Sequence, residues 1–283
     1  MFCRHTSASF TNRKQLEKVT RMYHQTAFNR CRFETRLARN TDELRAIQRL
    51  RYQVFYEEMG ALATAAQQEA RLDADHYDPL CDHLMVLDHD TTDENGRVRV
   101  AGAYRLGRRS QMPEGQNFYS EGEFSLGALK RHPGEILELG RSCVHPDYRN
   151  RAVLDMLWRG LGNYVTTYQV EIMFGCASFP GTDPDEIAPA LTYLHENHLA
   201  PECLRPQALP GQYVQMRRGG RNSIGRRDAL RQMPPLIRGY LSAGCFVGDG
   251  AVIDRDFNTV DVCVMVITQQ LGKSYKRRYQ EAG

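Results

Sequence analysis

The chain has 283 residues, of which 41% are hydrophobic, and this is sufficient for the core of one large domain or two small ones. Its formal net charge of only +3 favours no class of partner, and no run of ~18 apolar residues is present, which excludes a membrane-spanning helix. The eight cysteines include no Cys-x-x-Cys pair, so we expect free thiols in a reducing cytoplasm rather than a disulfide scaffold.

Residues 1–33 are polar and basic, and they lack the apolar run of a secretory signal. One modest amphipathic helix is predicted within them, with an apolar face of Leu16, Val19, Met22, Tyr23 and Phe28. Such a segment is either a disordered leader or a helix that rests on a membrane surface. We therefore expect a cytoplasmic protein, with peripheral contact at the cytoplasmic face of the inner membrane as the alternative.

From Thr41 onwards, predicted helices and strands alternate. Thr41 is expected to cap a helix that extends to Phe55. Two strands follow over 82–88 and 98–106, and the Asp-Glu-Asn-Gly turn at 93–96 joins them, which predicts a hairpin.

The stretch from 136 to 168 is the most informative in the chain. It begins with an apolar strand over 136–144, continues through a Pro-Asp-Tyr-Arg turn, and ends in a periodic helix. The apolar stripe of this helix comprises Leu154, Leu157, Trp158, Leu161, Val165 and Tyr168. A strand, a basic turn and a helix N-terminus in this order can bind a phosphate. The arrangement resembles the donor site of GNAT-type acyltransferases.

The second half of the chain continues the alternation. A strand is predicted over 172–179, followed by a helix with Pro189 in its first turn. Residues 205–235 are rich in Arg, Gly and Pro and predict a long excursion before a short helix over 235–243. Two strands around an Asp-Phe-Asn turn are predicted within 251–267.

Together the elements predict a single α/β domain over 34–270, with a mixed sheet flanked by helices. Residues 1–33 would form a leader, and residues 271–283 would form a basic tail.

Glu138, Gly140 and Arg141 are candidate catalytic residues on the strand at 136–144. Regular alternation would place Glu138 and Arg141 on opposite faces. A glycine within a strand often marks a bulge, which would turn both side chains to one face and free a backbone N–H. That N–H could polarise a thioester carbonyl, while Glu138 accepts a proton from an incoming amine. The alternative is an ion pair between Glu138 and Arg141 without a catalytic role.

A dense acidic run lies upstream of this strand. Its members are Asp73, Asp75, Asp78 and Asp82. Carboxylates at this density repel one another unless they meet cations. Arg51 and Arg105 could supply part of the positive charge, and a cationic amino-acid substrate the rest. The alternative is a solvated acidic loop.

A family resemblance rests on these residues. Arg51-x3-Phe55, Asp75-x2-Asp78, Arg105 and Glu138-x2-Arg141 resemble, in this order, the signature of acyl-homoserine-lactone synthases, which are GNAT-fold enzymes. Eight longer motifs are more similar to the bacterial L-ornithine Nα-acyltransferases of ornithine-lipid synthesis, and they extend over 33–268. These motifs are RYQVFYEEMGA, DHYDPLCDHLMVLD, FYSEGEF, LELGRSCVHPDYR, FGCASFPGTDP, YLHENHLAPE, PPLIRGY and VGDGAVIDRDFNTVDVCV.

The resemblance implies a GNAT-type fold and a reaction. A 3-hydroxyacyl chain would pass from acyl carrier protein to the α-amine of ornithine and give lyso-ornithine lipid, the first step of ornithine-lipid synthesis. No cofactor, metal or nucleic acid is implied. Glu138 would act with Gly140 and Arg141 in catalysis. The implied substrate-binding residues are Arg51, Phe55, Asp75, Asp78 and Arg105, with the two aspartates 75 and 78 selecting the cationic acceptor.

The donor turn departs from the wider GNAT pattern. Acetyl-CoA-dependent members carry a glycine-rich turn that cradles a pyrophosphate, whereas residues 149–154 contain no glycine. A phosphopantetheine arm has a single phosphodiester, which Val144, Arg149, Arg151 and the helix N-terminus could bind. Because carrier proteins are acidic, the arginine-rich stretch 217–231 is the predicted docking surface.

Other interpretations stay open. An acyl-homoserine-lactone synthase is less favoured, because such synthases carry a tryptophan in their N-terminal region and the only tryptophan of this chain is Trp158. An N-acyl amino acid synthase that uses lysine or glutamine as the acceptor is a second alternative. A basic membrane- or RNA-binding protein on a degenerate GNAT scaffold is the alternative that is not an enzyme. His195 and His198 are spaced for a metal but lack a third ligand. The segment 246–250 is expected to be a turn beside the acceptor pocket.

Two further sets of side chains need a role. Cys143 and Cys176 are interpreted as buried thiols rather than nucleophiles, because direct attack by an amine needs no covalent intermediate. Phe174, Phe179 and Trp158 are interpreted as core residues, of which some could line an acyl tunnel.

Overall fold

The computed structural model describes residues 32–149, 151–218 and 226–271, with the side chain of Arg226 excepted. Most of the predicted leader and the tail from residue 272 lie outside these ranges. Among the described helices, none has both the length and the apolar character needed to cross a bilayer.

Within the ranges that the structure describes, nine strands form a single mixed sheet. They are β1 (Phe33–Leu37), β2 (Asp82–Thr92), β3 (Val98–Arg108), β4 (Phe124–Ser125), β5 (Glu135–Val144), β6 (Val170–Pro180), β7 (Gln207–Ala208), β8 (Phe246–Asp254) and β9 (Thr259–Ile267). Their order across the sheet is β1-β2-β3-β5-β6-β9-β8-β7-β4. The pairs β5–β6 and β7–β8 are parallel, and the other neighbours are antiparallel. The predicted mixed sheet is therefore confirmed.

The described part of the chain also contains seven α-helices. They are α1 (Thr41–Tyr52), α2 (Ala65–Ala70), α3 (Gly127–Lys130), α4 (Arg151–Thr167), α5 (Ala188–His198), α6 (Arg226–Gln232) and α7 (Pro235–Ala243). The predicted cap of α1 is wrong by one residue, because Asn40 accepts the hydrogen bond from the N–H of Glu43. A turn of π-helix, Gln53–Glu58, continues α1 towards the site.

The helix α4 covers one face of the sheet. Its buried residues include Leu157, Leu161 and Val165 of the predicted stripe. Val153 and Tyr164 are also buried, whereas Leu154 is only half-buried and Tyr168 is exposed. The stripe is therefore rotated slightly from the prediction, because β2, β3 and β6 lie under this side of the helix.

The opposite face of the sheet carries two separate apolar clusters. One lies under α1 and includes Ile47, Leu50 and Met85. The other packs the segment from 118 to 129 against Phe174 of β6 and neighbouring strand residues. The polar site described below lies between these two clusters.

The segment 246–250 does not form the predicted turn. It belongs to β8, where an irregularity between Val247 and Ala251 interrupts the pairing with β9. Gly250 accommodates this irregularity with a φ of 86°, a backbone conformation that favours glycine. Alternating glycines therefore mark a bulged strand here, not a loop.

The parallel strands β5 and β6 separate part-way along their length. They pair from Glu135 to Glu138 on β5, opposite Val170 to Phe174 on β6. At Gly175 the strands are still so close that a Cβ atom would overlap the carbonyl oxygen of Leu139. Beyond that point β5 pairs only with β3, and β6 only with β9. An opening in the sheet results, which we call the β5–β6 opening.

Candidate active site

The strand β5 contains the predicted bulge. Gly140 pairs with Arg105 and Cys143 pairs with Ala103, so Arg141 and Ser142 together face the single residue between them on β3. The residue in the left-handed conformation is Arg141, with a φ of 49°, and not Gly140. A non-glycine residue in this conformation is uncommon and is often found at functional sites.

The bulge brings Glu138 and Arg141 to the same face of the sheet, as predicted. Glu138 accepts hydrogen bonds from the backbone N–H groups of Tyr119 (3.1 Å) and Ser120 (2.7 Å). The guanidinium of Arg141 lies 4.6 Å from the centre of the Tyr119 ring. Burial raises the pKa of Glu138 above its ordinary value. Its role as a proton acceptor stays a prediction.

The acidic run is part of a buried ionic network, so its interpretation as a solvated loop is wrong. Arg51 donates to Asp73 (2.6 Å) and to Asp78 (2.8 Å), and Arg105 donates to Asp75 (2.7 Å). Arg141 lies 3.2 Å from Asp73 and 3.4 Å from Asp75. Three arginines thus meet three aspartates.

This pairing fixes the charge of the carboxylates. Burial opposes ionisation of Asp78, yet the adjacent Arg51 guanidinium lowers the pKa of that carboxyl to about 2. Burial also opposes ionisation of Asp75, but the adjacent Arg105 guanidinium lowers the pKa of that carboxyl below its ordinary value. The negative charges are therefore neutralised within the protein. The predicted contacts of Arg51, Asp75, Asp78 and Arg105 with substrate stay predictions.

Phe55 supports the network from the π-helical turn. It is buried, and its ring packs edge-on against Phe257 at 5.9 Å. Phe257 in turn lies 4.7 Å from the guanidinium carbon of Arg141. The next residue, Tyr56, donates from its hydroxyl to Asp73 across 3.0 Å. The predicted contact of Phe55 with substrate is untested.

Sequence reasoning missed a second acidic group, formed by Glu123, Cys176 and Asp261. One oxygen of each carboxylate and the thiol sulfur all lie within 4.8 Å of one another. The thiol donates to Glu123 across 3.3 Å. Burial and then repulsion from Asp261 raise the pKa of Glu123 to about 8, and burial raises that of Asp261 to about 6. An acid within the otherwise apolar run TVDVCVMVI was the available signal for Asp261.

Both candidate thiols are poor nucleophiles. Burial raises the pKa of Cys143 to about 12. Burial and the Glu123 carboxylate raise the pKa of Cys176 well above its ordinary value. Because the thiolate is the reactive form, the interpretation of both residues as neutral thiols is supported.

An apolar pocket that is partly open to solvent reaches the β5–β6 opening. Leu139, Gly175 and Cys176 line it at the opening. Trp158 and Phe174 also line it, as the interpretation of an acyl tunnel allows, whereas Phe179 is fully buried in the core. The remaining lining residues are Leu161, Met173, Tyr240, Ala243, Cys245, Val264, Met265, Val266 and Leu271.

The predicted donor residues lie between β5 and the N-terminus of α4. Val144 ends β5, and its carbonyl accepts a hydrogen bond from Arg149 at 3.4 Å. Arg149 also pairs with Glu58, with 2.6 Å between Nη2 and Oε2. Arg151 is 76% exposed at the first turn of α4, where a phosphate could reach it. Their contact with phosphopantetheine stays a prediction.

Two weaker expectations involve surface residues. His195 lies 4.0 Å from Asp249, and within the described ranges neither histidine belongs to a group of three metal-ligating side chains. In the arginine-rich stretch, Arg217 and Arg218 pair with acids of the chain itself. Residues 219–225 of that stretch lie outside the described residues.

The sequence of this chain is similar to those of known acyltransferases. Residues 50–159 match the acetyltransferase (GNAT) domain. The L-ornithine Nα-acyltransferase of Rhodobacter capsulatus is 46% identical over 247 residues, which cover 87% of this chain and 94% of that protein. This chain belongs to the L-ornithine Nα-acyltransferase family. Relatives with the same name from Agrobacterium fabrum and Rhizobium meliloti are 42% and 40% identical, over 87% of this chain and 84% and 83% of theirs.

Solved structures include two synthases with a weaker similarity. The CoA-dependent acyl-homoserine lactone synthase BjaI gives a TM-score of 0.48 at 15% identity, over 88% of this chain and 89% of that one. FeeM, an N-acyl amino acid synthase from uncultured soil microbes, gives 0.42 at 10% identity, over 89% and 97%. The predicted GNAT fold and acyltransferase family are confirmed by the domain match and the curated relatives.

Proposed function

We propose that this enzyme transfers a 3-hydroxyacyl chain from acyl carrier protein to the α-amine of L-ornithine and forms lyso-ornithine lipid. The observation that carries the proposal is the meeting of two sites at the β5–β6 opening. An apolar pocket reaches the opening from the side of α4 and α7, and a polar, acidic site borders it on the other side. A fatty thioester and a cationic amino acid need sites of these two kinds.

The donor side suits a fatty thioester. The pocket is lined by aromatic and aliphatic side chains, including the stacked rings of Trp158 and Tyr240, whose centres are 6.3 Å apart. Beyond Glu138, β5 no longer pairs with β6, so the backbone N–H groups of β5 that face β6 have no partner on that strand. Such groups can donate to the oxyanion that forms when the amine attacks the thioester carbonyl.

Acyl carrier protein is the donor that the turn after β5 favours. The turn has no glycine to cradle a pyrophosphate, and arginines stand at both sides of the N-terminus of α4. On the surface, Arg227 and Arg231 of α6 are exposed and suit an acidic protein. Replacing both with Glu should raise the KM for acyl carrier protein and leave that for ornithine unchanged.

The product carries a long apolar chain, which partitions into bilayers. We therefore propose that the enzyme works in the cytoplasm and releases product at the cytoplasmic face of the inner membrane. Co-sedimentation with anionic vesicles would test the membrane contact, and an unbound protein under all salt conditions would contradict it.

The proposed function is tested with purified enzyme, 3-hydroxyacyl carrier protein and an equimolar mixture of ornithine, lysine, glutamine and glycine. Mass spectrometry should find N-acyl ornithine as the main product. Conjugates of lysine or glutamine in its place would reassign the acceptor. Expression in a bacterium that lacks aminolipids should give a new lyso-ornithine lipid in the membrane fraction.

A further inference from the structure

Glu123 and Asp261 differ from the other acids of the site, because among the described residues no arginine forms an ion pair with either of them. The guanidinium of Arg141 pairs with Asp73 and Asp75, and its charge also acts on Glu123 and Asp261 without an ion pair to either. Within the described ranges, neither Glu123 nor Asp261 forms an ion pair with Lys, Arg or His. One oxygen of Asp261, Oδ1, is buried without a hydrogen-bond partner there. Buried carboxylates without a positively charged partner are unfavourable, so a bound cation would stabilise this pair.

The pair lies beside the position at which acyl transfer is proposed. Cys176 lines the apolar pocket at the β5–β6 opening and donates to Glu123. Asp261 is on β9, directly opposite Ser178 of β6. Ser178 is two residues after Cys176 on the same strand. A small cation bound between the two carboxylates would therefore stand next to a thioester in the opening.

We infer that Glu123, with Asp261, binds the α-ammonium group of the acceptor amino acid and accepts its proton. The inference rests on the proposed acyl transfer and extends it to a named base. The ammonium gives one proton to Glu123, and the free amine attacks the thioester carbonyl. A C–N bond forms and the C–S bond breaks. The second proton of the nitrogen ends on the leaving thiolate, and Glu123 releases its proton to water.

Glu138 has a different task in this scheme. Its two carboxylate oxygens accept the N–H groups of Tyr119 and Ser120. Those residues begin the short helix Tyr119–Gly122, which immediately precedes Glu123. Glu138 is therefore a positioning residue that holds the segment carrying the base.

The groups around Glu123 explain why its carboxyl can release and accept a proton near neutral pH. The titratable or charged groups that face it are Asp254, Asp261, Cys176, Cys263, Arg141 and Tyr119. With its pKa raised by burial and by Asp261, the pair retains a proton near neutral pH. An incoming ammonium supplies the missing positive charge and displaces that proton.

The test compares Glu123→Gln with the matched control Glu114→Gln, an exposed residue before the same short helix. Removal of a general base costs on the order of 10²–10⁴-fold in rate. We expect a loss of that size in kcat/KM for the acceptor in Glu123→Gln, with an unchanged KM for the donor. Wild-type kcat/KM should rise with pH up to about 8, and the variant should lose this rise. The control should match the wild type.

Two further measurements separate a base from a structural residue. Glu123→Asp retains a carboxylate and should be more active than Glu123→Gln. Glu123→Gln should melt at or above the wild-type temperature at pH 8.5, because it removes an unneutralised charge. Activity within threefold of wild type, or a loss that accompanies a fall in melting temperature, would overturn the inference. A wild type that loses activity with EDTA and regains it with zinc would overturn it as well.

Failure of the proposed function gives a different result. If the wild type acylates an amine other than ornithine, the acceptor assignment is wrong, and the Glu123 variants are assayed with that amine. A loss of activity in Glu123→Gln would still support the base.

Discussion

Arg51 donates to Asp73 across 2.6 Å at a position where neither side chain is more than 1% exposed. The same guanidinium reaches Asp78, so one arginine compensates two buried carboxylates. Charges at this depth are stable only while every partner is present. The network of arginines and aspartates therefore determines whether this part of the enzyme folds.

Arg51→Met should be strongly destabilising. It keeps much of the side-chain volume but leaves Asp73 and Asp78 with too little positive charge, and breaking a buried pair costs about 3–5 kcal/mol. Urea unfolding would measure the change. The control is Arg97→Ala, whose 3.7 Å pair with Asp42 is exposed at both ends and should cost less than ~1 kcal/mol. Equal effects of the two changes would contradict the assigned role of the network.

The acidic pair should make stability depend on pH. The folded protein raises the pKa of Glu123 from 4.5 to about 8, so it binds more protons than the unfolded chain between these values. Unfolding free energy should therefore fall as pH rises from about 5 to 8. Asp261, raised from 3.8 to about 6, contributes in the lower part of this window.

Glu123→Gln should reduce that slope. Its melting temperature should exceed that of the wild type at pH 8.5 and approach it near pH 5. Calorimetry at these two pH values would show it, and a constant difference between the two proteins would be inconsistent with a raised pKa.

Gly175→Ala should disturb the site by steric overlap. A Cβ at this position would meet the carbonyl oxygen of Leu139, which is backbone and cannot rotate away. We expect a loss of about 1–3 kcal/mol or more from overpacking, together with a fall in turnover. Gly211→Ala is the control, because a Cβ there meets no atom within 4 Å. Its stability and turnover should be unaffected.

Ala243→Leu should shorten the acyl chain that the enzyme accepts. Ala243 is on α7 and lines the apolar pocket, so a larger side chain would occupy part of its volume. Each methylene that no longer fits forfeits about 0.8 kcal/mol of burial. The ratio of kcat/KM for long and short acyl donors should fall at least tenfold. An unchanged ratio would mean that the chain lies elsewhere.

Much of the fold could be predicted from the sequence because local patterns determine it. The hairpin of β2 and β3, the strand–turn–helix of β5 and α4, and the bulge near Gly140 all follow from short spacings. The predicted turn at 246–250 is wrong because two glycines can mark either a turn or a bulged strand, and only the pairing with β9 distinguishes the two.

The site was predictable only in part. The aspartates and Arg51 form a visible pattern, but their mutual neutralisation depends on how α1 packs over the sheet. Glu123 and Asp261 are distant in sequence, and they meet because the segment from 118 to 129 packs over β6, which is the neighbour of β9 in the sheet. Short spacing cannot reveal such a pair.

The β5–β6 opening has a kinetic consequence. The apolar pocket is bordered by α4 and α7 on one face of the sheet, while Glu123 and Arg141 stand on the other. Because Cys143 and Cys176 are neutral thiols, neither is suited to carry the acyl group between the two sides, and we expect the acyl donor and the amino acid to occupy the protein together. Double-reciprocal plots at several fixed acceptor concentrations should therefore intersect, and parallel lines would require a covalent relay through the sheet.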